Sequence, residues 1–345
     1  MRKLLIIGPD SVHTQNFAEL MKPVIEEVRV ITDGKKLNGE LRDTGDFTFS
    51  FRLPWQWMKS YKKMRAFIQN FKPEIIHIHE VGTHGLMVIL AARRMKVPVV
   101  VTAWGSDILI NSQKGFFYRQ MIRYNVTHAS AVTADATYVG KRMKELAGKP
   151  LNVLWANFGT RLTIGSFEKE NWIFSNRLHK PLYRIDTIIK EFAVFCKEYP
   201  DWRLIIAGEG EGTASLKELA TSLGIHDKVQ FTGWLKREDN SRFLLKSKIF
   251  VSIPSSDGTS VSLLEAMEAG CFPVVSDLPA NREWITDGIN GRVADQFSGS
   301  LFSGIMELDW GKALNINNQK IAEHGTAEAN RKKFYTLYCT LATAK

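Results

Sequence analysis

The chain has 345 residues, 44% hydrophobic and 24% charged, a globular composition that excludes disordered and fibrous classes and suffices for two domains. Its apolar runs are strand-sized, which excludes a transmembrane helix, and Cys196, Cys271 and Cys339 have neither disulfide-framework nor metal-ligand spacing. The net charge of +10 fits a phosphate-rich substrate or an anionic membrane surface. No nucleic-acid-binding signature accompanies it, so nucleic acid is not expected as a partner. Met1-Arg2-Lys3 runs through four apolar residues into Gly8-Pro9, too short for a signal peptide. A cytoplasmic protein is expected, peripheral at most on the inner membrane face.

In chain order, residues 4–7 and 28–32 read as strands, with a loop over 8–14 and a helix from about residue 15. A third strand is expected over 47–51 and a helix over 57–71. Strands over 74–79, 97–102 and 131–134 then alternate with helices over 86–95, 116–124 and 137–146. Such alternation predicts a parallel sheet covered on both faces. Turn-rich residues 157–165 form the expected linker. A second series places strands at 172–175, 203–207, 229–232, 249–253 and 272–275. Its helices fall at 184–199, 214–224, 236–247 and 259–269, and 317–344 reads as one long helical stretch. The expected domains are 1–160, 161–315 and a helical segment 316–345.

The most informative stretch is 250–291. A buried strand breaks at Pro254-Ser255-Ser256-Asp257-Gly258, and small hydroxylated residues open a helix. The unpaired N–H groups and dipole of that helix make an anion site. Asp257 and Glu265 stand close to this positive end, so the ligand is expected to carry hydroxyls as well as phosphates, as a nucleotide-sugar does.

The run SSDGTSVSLLEAMEAGCFPVVSDLPANREWITDGINGRV resembles the donor-binding signature of family 4 glycosyltransferases, retaining enzymes of GT-B fold. The resemblance implies an α/β protein of two doubly wound, Rossmann-like domains facing across a cleft, with a C-terminal helix crossing back to the N-terminal domain. It implies that Asp257 faces the donor sugar, where the family usually has Glu, and that Glu265 bonds the ribose. Backbone N–H groups of Gly258, Thr259, Ser260 and Val261 would meet the phosphates. Ser175-Asn176-Arg177-Leu178-His179-Lys180 resembles the family's diphosphate clamp, with Arg177 as one cation. The second is Lys180 or Arg184, and Lys180 has the advantage of remaining in the loop. Gly208 of Gly208-Glu209-Gly210-Glu211-Gly212 would lie beside the donor. Thr232 and Trp234 belong to the segment whose backbone meets the base.

In the first half, Ser11 and His13 of the loop over 8–14 are acceptor-side candidates. His77 and His79 share a strand face, and His79 is nearer the end. Thr102 to Asp107 resembles a family loop in which Trp104 stands where many members have His; Trp104 is expected to stack on a sugar ring, and Asp107 to meet an acceptor hydroxyl. Residues 54–71 set Trp55, Trp57, Met58 and Tyr61 among Lys59, Lys62, Lys63 and Arg65, the pattern of a helix at a membrane surface.

The resulting expectation is a retaining, metal-independent glycosyltransferase taking a UDP- or GDP-sugar as donor and using no cofactor. The acceptor would be a glycan, lipid-linked if residues 54–71 touch membrane, in cell-surface polysaccharide such as lipopolysaccharide. Asp257, His79 and Asp107 are its catalytic candidates. Two alternatives share these residues: a nucleotide-sugar 2-epimerase of the same fold, and a non-catalytic, transferase-like partner subunit.

Overall fold

The computed structural model describes residues 1–34, 47–160, 162, 165 and 167–343. It divides into two units, Met1–Phe158 with Ala327–Lys345, and Gly159–Thr326. The first contains β1 (Lys3–Gly8), α1 (Val12–Met21), β2 (Glu27–Thr32), α2 (Pro54–Phe71), β3 (Ile75–His79) and α3 (Thr83–Ala92). It continues with β4 (Val99–Ala103), α4 (Ser106–Leu109), α5 (Phe116–His128), β5 (Ala131–Ala134), α6 (Thr137–Ala147) and β6 (Val153–Trp155). The strands form a parallel sheet in the order β2-β1-β3-β4-β5-β6. Leu4 to Ile7 and Val99 to Ala103 are buried throughout, because helices cover both faces, so these strands read as unbroken apolar runs.

Two features depart from expectation for stated reasons. Residues 47–50 form no strand: Phe47 and Phe49 point inward, but the Thr48 N–H donates to Ser60 Oγ of α2 at 2.8 Å. Their alternation arises from packing beneath α2. The stretch 317–344 is not one helix; residue 344 lies outside the described residues. A helix ending at Lys320 passes through a wide turn at Ile321–Gly325, and a separate C-terminal helix runs from Ala327 to Thr343. Thr326 between them is extended, and the Thr160 N–H donates to the Gly325 carbonyl at 2.8 Å. The C-terminal helix packs on the first unit, with Phe334 edge-on to Phe17 at 4.8 Å and the Tyr338 hydroxyl bonded to His77 Nδ1. The expected linker at 157–165 falls partly outside the described residues.

The second unit contains β7 (Glu170–Ser175), α7 (Ile185–Glu198), β8 (Arg203–Ala207), α8 (Thr213–Ser222), β9 (Val229–Gly233) and α9 (Arg237–Lys246). Then come β10 (Ser247–Ser252), α10 (Val261–Glu268), β11 (Phe272–Ser276), α11 (Pro279–Trp284), β12 (Arg292–Ala294) and α12 (Trp310–Lys320). The sheet is parallel, ordered β12-β11-β10-β7-β8-β9. Phe192, Trp202 and Phe272 are buried in its core, each burial contributing about 1.5–3 kcal/mol. Asn290 and Asn317 exchange amide hydrogen bonds of 2.7 and 3.0 Å, tying the loop before β12 to α12.

In each sheet the strand order reverses at one point: between β1 and β3 in the first, and between β7 and β10 in the second. Loops leaving the carboxyl ends of these pairs turn apart and open a crevice where open α/β sheets bind ligands.

Candidate functional site

In the second unit, the switch-point loops follow β7 and β10. The β10 loop ends at Ser260, which caps α10 by accepting from the Leu263 N–H at 3.4 Å. Arg177, from the β7 loop, donates to Ser260 Oγ at 2.7 Å and to Asp257 Oδ2 at 2.6 Å. Its guanidinium lies over the Tyr183 ring, 4.5 Å from the centroid. The side chains of Arg177 and Asp257 are 13% and 23% exposed, so this charge-assisted pair retains a solvent-facing edge. Asp257 Oδ1 accepts from the Gly258 N–H at 3.0 Å. A cation is thus fixed beside the N–H groups that open α10.

Glu265 lies on the second turn of α10. Burial pushes its carboxyl up to about 7, with Arg237 opposing and Glu268 reinforcing the shift. Asn240 Nδ2 reaches Glu265 Oε2 only at 3.5 Å, and Asn240 is itself held by Asn176 Nδ2 at 2.9 Å. This carboxyl is suited to accept further donors. Nothing in the sequence marked Asn240 or Arg237, which reach it from α9.

The glycine loop serves close approach. A Cβ on Gly208 (φ +97°) would stand 2.7 Å from the Arg177 carbonyl, and one on Gly210 2.6 Å from that of His179. The resulting cavity of about 580 Å³ is lined by His179, Glu209, Lys217 and Phe231 with the glycines and Thr213. Gly233 also lines it, whereas the flanking Thr232 and Trp234 do not; the Trp234 ring is 65% exposed. Lys217 had no mark in the sequence, and His179 and Phe231 stood there only within the clamp-like and base-facing segments, since only the fold brings α8 and β9 to the β7 loop. Lys180 is exposed, while Arg184 has a left-handed backbone and lays its guanidinium 5.3 Å from the Phe297 ring centroid.

In the first unit, Ser11 is the N-cap of α1, accepting from the Thr14 N–H at 3.4 Å. His13 is exposed and stacks on Phe158 at 5.4 Å. Trp104 stacks on Phe158 at 4.0 Å and donates through Nε1 to His79 Nδ1 at 3.2 Å. His79 is buried, held well below its ordinary pKa by desolvation, and its Nε2 has no partner among the described residues. His77 lies deeper, between Tyr338 and Thr102, and burial lowers it to about 3. Asp107 sits beneath its loop, accepting N–H bonds from Val81, Trp104 and Ile108 at 2.9–3.1 Å. Burial nevertheless pushes it up to about 6.

Glu80, at the switch point directly after β3, had no mark in the sequence. Its φ of +69° is a left-handed conformation that a non-glycine residue holds only under constraint. Burial, then Asp107 and Asp33, push its carboxyl up to about 7. A carboxyl raised in the folded state contributes stability fully below its unfolded pKa, near 4.5, and loses it as pH rises through about 7. Glu80→Gln is therefore expected to raise the melting temperature at pH 8 and leave it nearly unchanged at pH 4, below the unfolded pKa. Thermal denaturation at both pH values checks this; equal shifts at both would show that Glu80 does not titrate so high.

Fold and site together define a two-domain GT-B architecture. A family model described as "Glycosyl transferases group 1" matches residues 163–308, and one described as "Glycosyl transferase 4-like" matches 3–136. The chain belongs to the family 4 glycosyltransferases. It is 33% identical over 144 residues to an uncharacterised glycosyltransferase of Haemophilus influenzae, covering 39% of this chain and 36% of that one. It is 23% identical over 274 residues to an alpha-monoglucosyldiacylglycerol synthase of Streptococcus pneumoniae, covering 72% and 60%. The chain thus spans less than two thirds of these relatives' length. HepE of Anabaena, crystallised with UDP, shares the fold with a TM-score of 0.79 at 12% identity, over 98% of this chain and 100% of that one.

Proposed function

We propose that this chain transfers a sugar from a UDP- or GDP-sugar to a hydroxyl of a glycan acceptor with retention of configuration. The observation that carries the reading is Arg177 fixed at the N-terminus of α10, with Asp257 beside it and Glu265 one turn further. Arg177, Lys180 and the N–H groups of residues 258–261 hold the diphosphate, whose charge grows as the nucleotide leaves. Glu265 accepts the ribose hydroxyls, and the base enters the cavity between Lys217 and Phe231. Asp257 orients the donor sugar. The bond from the anomeric carbon to phosphate breaks while the bond to the acceptor oxygen forms on the same face. The acceptor proton passes to the departing phosphate oxygen, so no covalent sugar–enzyme bond is needed. The chain's own cations do the work of a metal. The first unit takes the acceptor near Ser11, His13 and His79, while Asp107 shapes the loop there.

We place the acceptor on a lipid carrier at the cytoplasmic membrane face, in cell-surface polysaccharide synthesis. The name of the pneumococcal relative, a glucosyldiacylglycerol synthase, supports a lipid-borne acceptor. Among the described residues no helix is long and apolar enough to cross a membrane, so contact with lipid would be from the surface.

The test is incubation of the protein with UDP- and GDP-sugars and a lipid extract, with the anomeric configuration of the product read by NMR. An α-linked product from an α-linked donor is expected. Inversion overturns the retaining mechanism, and donor turnover without acceptor turns the assignment toward a 2-epimerase.

A further inference from the structure

Among the described residues thirteen large hydrophobic side chains are exposed, and seven of them lie within 53–58 and 110–118. These stretches are distant in sequence but meet on the surface of the first unit. Trp57 stacks on Tyr61 at 5.9 Å and lies 5.3 Å from Phe51. Phe51 in turn contacts Phe117 at 5.9 Å, and Phe117 contacts Tyr118 at 6.5 Å. A continuous aromatic chain therefore joins the start of α2 to the start of α5. Trp55 is 67% exposed, Phe116 78% and Phe117 62%. Packing does not explain them, because α2 buries Ser60, Met64 and Ile68, and α5 buries Met121, Ile122 and Val126.

The stretches that carry them are one-signed in charge. Residues 48–73 contain six Lys or Arg and no acid; residues 108–134 contain three and no acid. Nine of the ten units of net positive charge thus come from the two stretches that carry the aromatic chain. A phosphate substrate held in the second unit does not account for that concentration. An exposed apolar patch ringed by cations is unfavourable in water, but it matches an anionic bilayer, where aromatic rings settle at headgroup depth and Lys and Arg meet lipid phosphates.

We propose that the first turns of α2 and α5 form one membrane-docking surface for anionic lipid, with Trp55, Phe116 and Phe117 entering the interface and Lys59, Lys62, Lys114 and Arg119 holding the headgroups. This deepens the reading of a lipid-borne acceptor by giving the acceptor-binding unit its partner, but it rests on the surface of the first unit alone. Two contributions are required. Charge attracts the protein to the bilayer, and the aromatic side chains hold it there against salt.

The experiment is flotation of the full chain with vesicles of phosphatidylcholine alone or mixed with phosphatidylglycerol, over a range of salt. Binding is expected only to the mixed vesicles. Phe116→Ser with Phe117→Ser should weaken it about 10- to 100-fold. Each of Lys59→Gln and Lys62→Gln should weaken it about five-fold. Both phenylalanines are exposed, so the melting temperature should not fall, which separates a docking defect from misfolding. No binding to mixed vesicles overturns the proposal, as does binding that the phenylalanine variant retains in full. Addition of UDP- or GDP-sugar to the same samples reads the donor site separately by thermal shift. Vesicle binding without a nucleotide response leaves docking standing and sinks the transferase reading; the reverse overturns docking alone.

Discussion

Glu265→Ala is expected to weaken binding of the nucleoside diphosphate about 10- to 100-fold, through loss of roughly 1.5–3 kcal/mol of hydrogen bonding to a charged acceptor. The expectation rests on a carboxyl that burial has raised to about 7 and whose nearest amide partner stands at 3.5 Å. Such a group gains more from ribose hydroxyls than one already well bonded. Its titration supplies a second signature. Hydroxyl donation favours the ionised carboxylate, so binding releases a proton, and affinity should climb as pH rises from 6 to 8. A nucleotide-sugar is the ligand to use, because its diphosphate diester does not titrate in that window. Isothermal titration at both pH values checks the slope, and Glu265→Gln should flatten it. Unchanged affinity in Glu265→Ala would show that the ribose lies elsewhere.

Arg177→Ala is expected to lower kcat/KM about 100- to 1,000-fold, the usual consequence of removing a donor aimed at charge that develops in the transition state. Arg177 also neutralises Asp257 and bonds the cap of α10, so its loss leaves a partly exposed carboxylate beside the helix end. A stability cost of about 1 kcal/mol follows, small because both side chains keep contact with water. Arg177→Lys retains the charge but cannot bond Asp257 and Ser260 as a fork, and should recover only part of the rate. Steady-state kinetics with denaturant unfolding on the same samples separates the two effects. Combined with Asp257→Ala, a double-mutant cycle gives the coupling of the pair. If Arg177→Ala leaves kcat/KM within a few-fold of the parent, the diphosphate is held elsewhere.

The parallel α/β class was legible because strands covered on both faces become unbroken apolar runs between helical periods. The strand, loop and capped helix around Asp257 and Glu265 were legible because turn and cap chemistry acts between close neighbours in the chain. Residues 47–50 misled for the same reason in reverse: inward packing under α2 gave a strand's alternation without a strand's ladder. Short edge strands such as β6 and β12, three residues each, carry too little pattern to be read.

The sequence by itself determined the two series of buried strands, the capped helix start after β10 and the acids beside it, since each depends on residues near one another in the chain. Only the tertiary structure decided that Arg177 bonds Asp257 eighty residues away. It also set Glu80 in a left-handed conformation near buried Asp107, brought Lys217 and Phe231 to the β7 loop, and joined the aromatic residues of α2 to those of α5. These juxtapositions depend on strand order and helix packing, which no local period encodes.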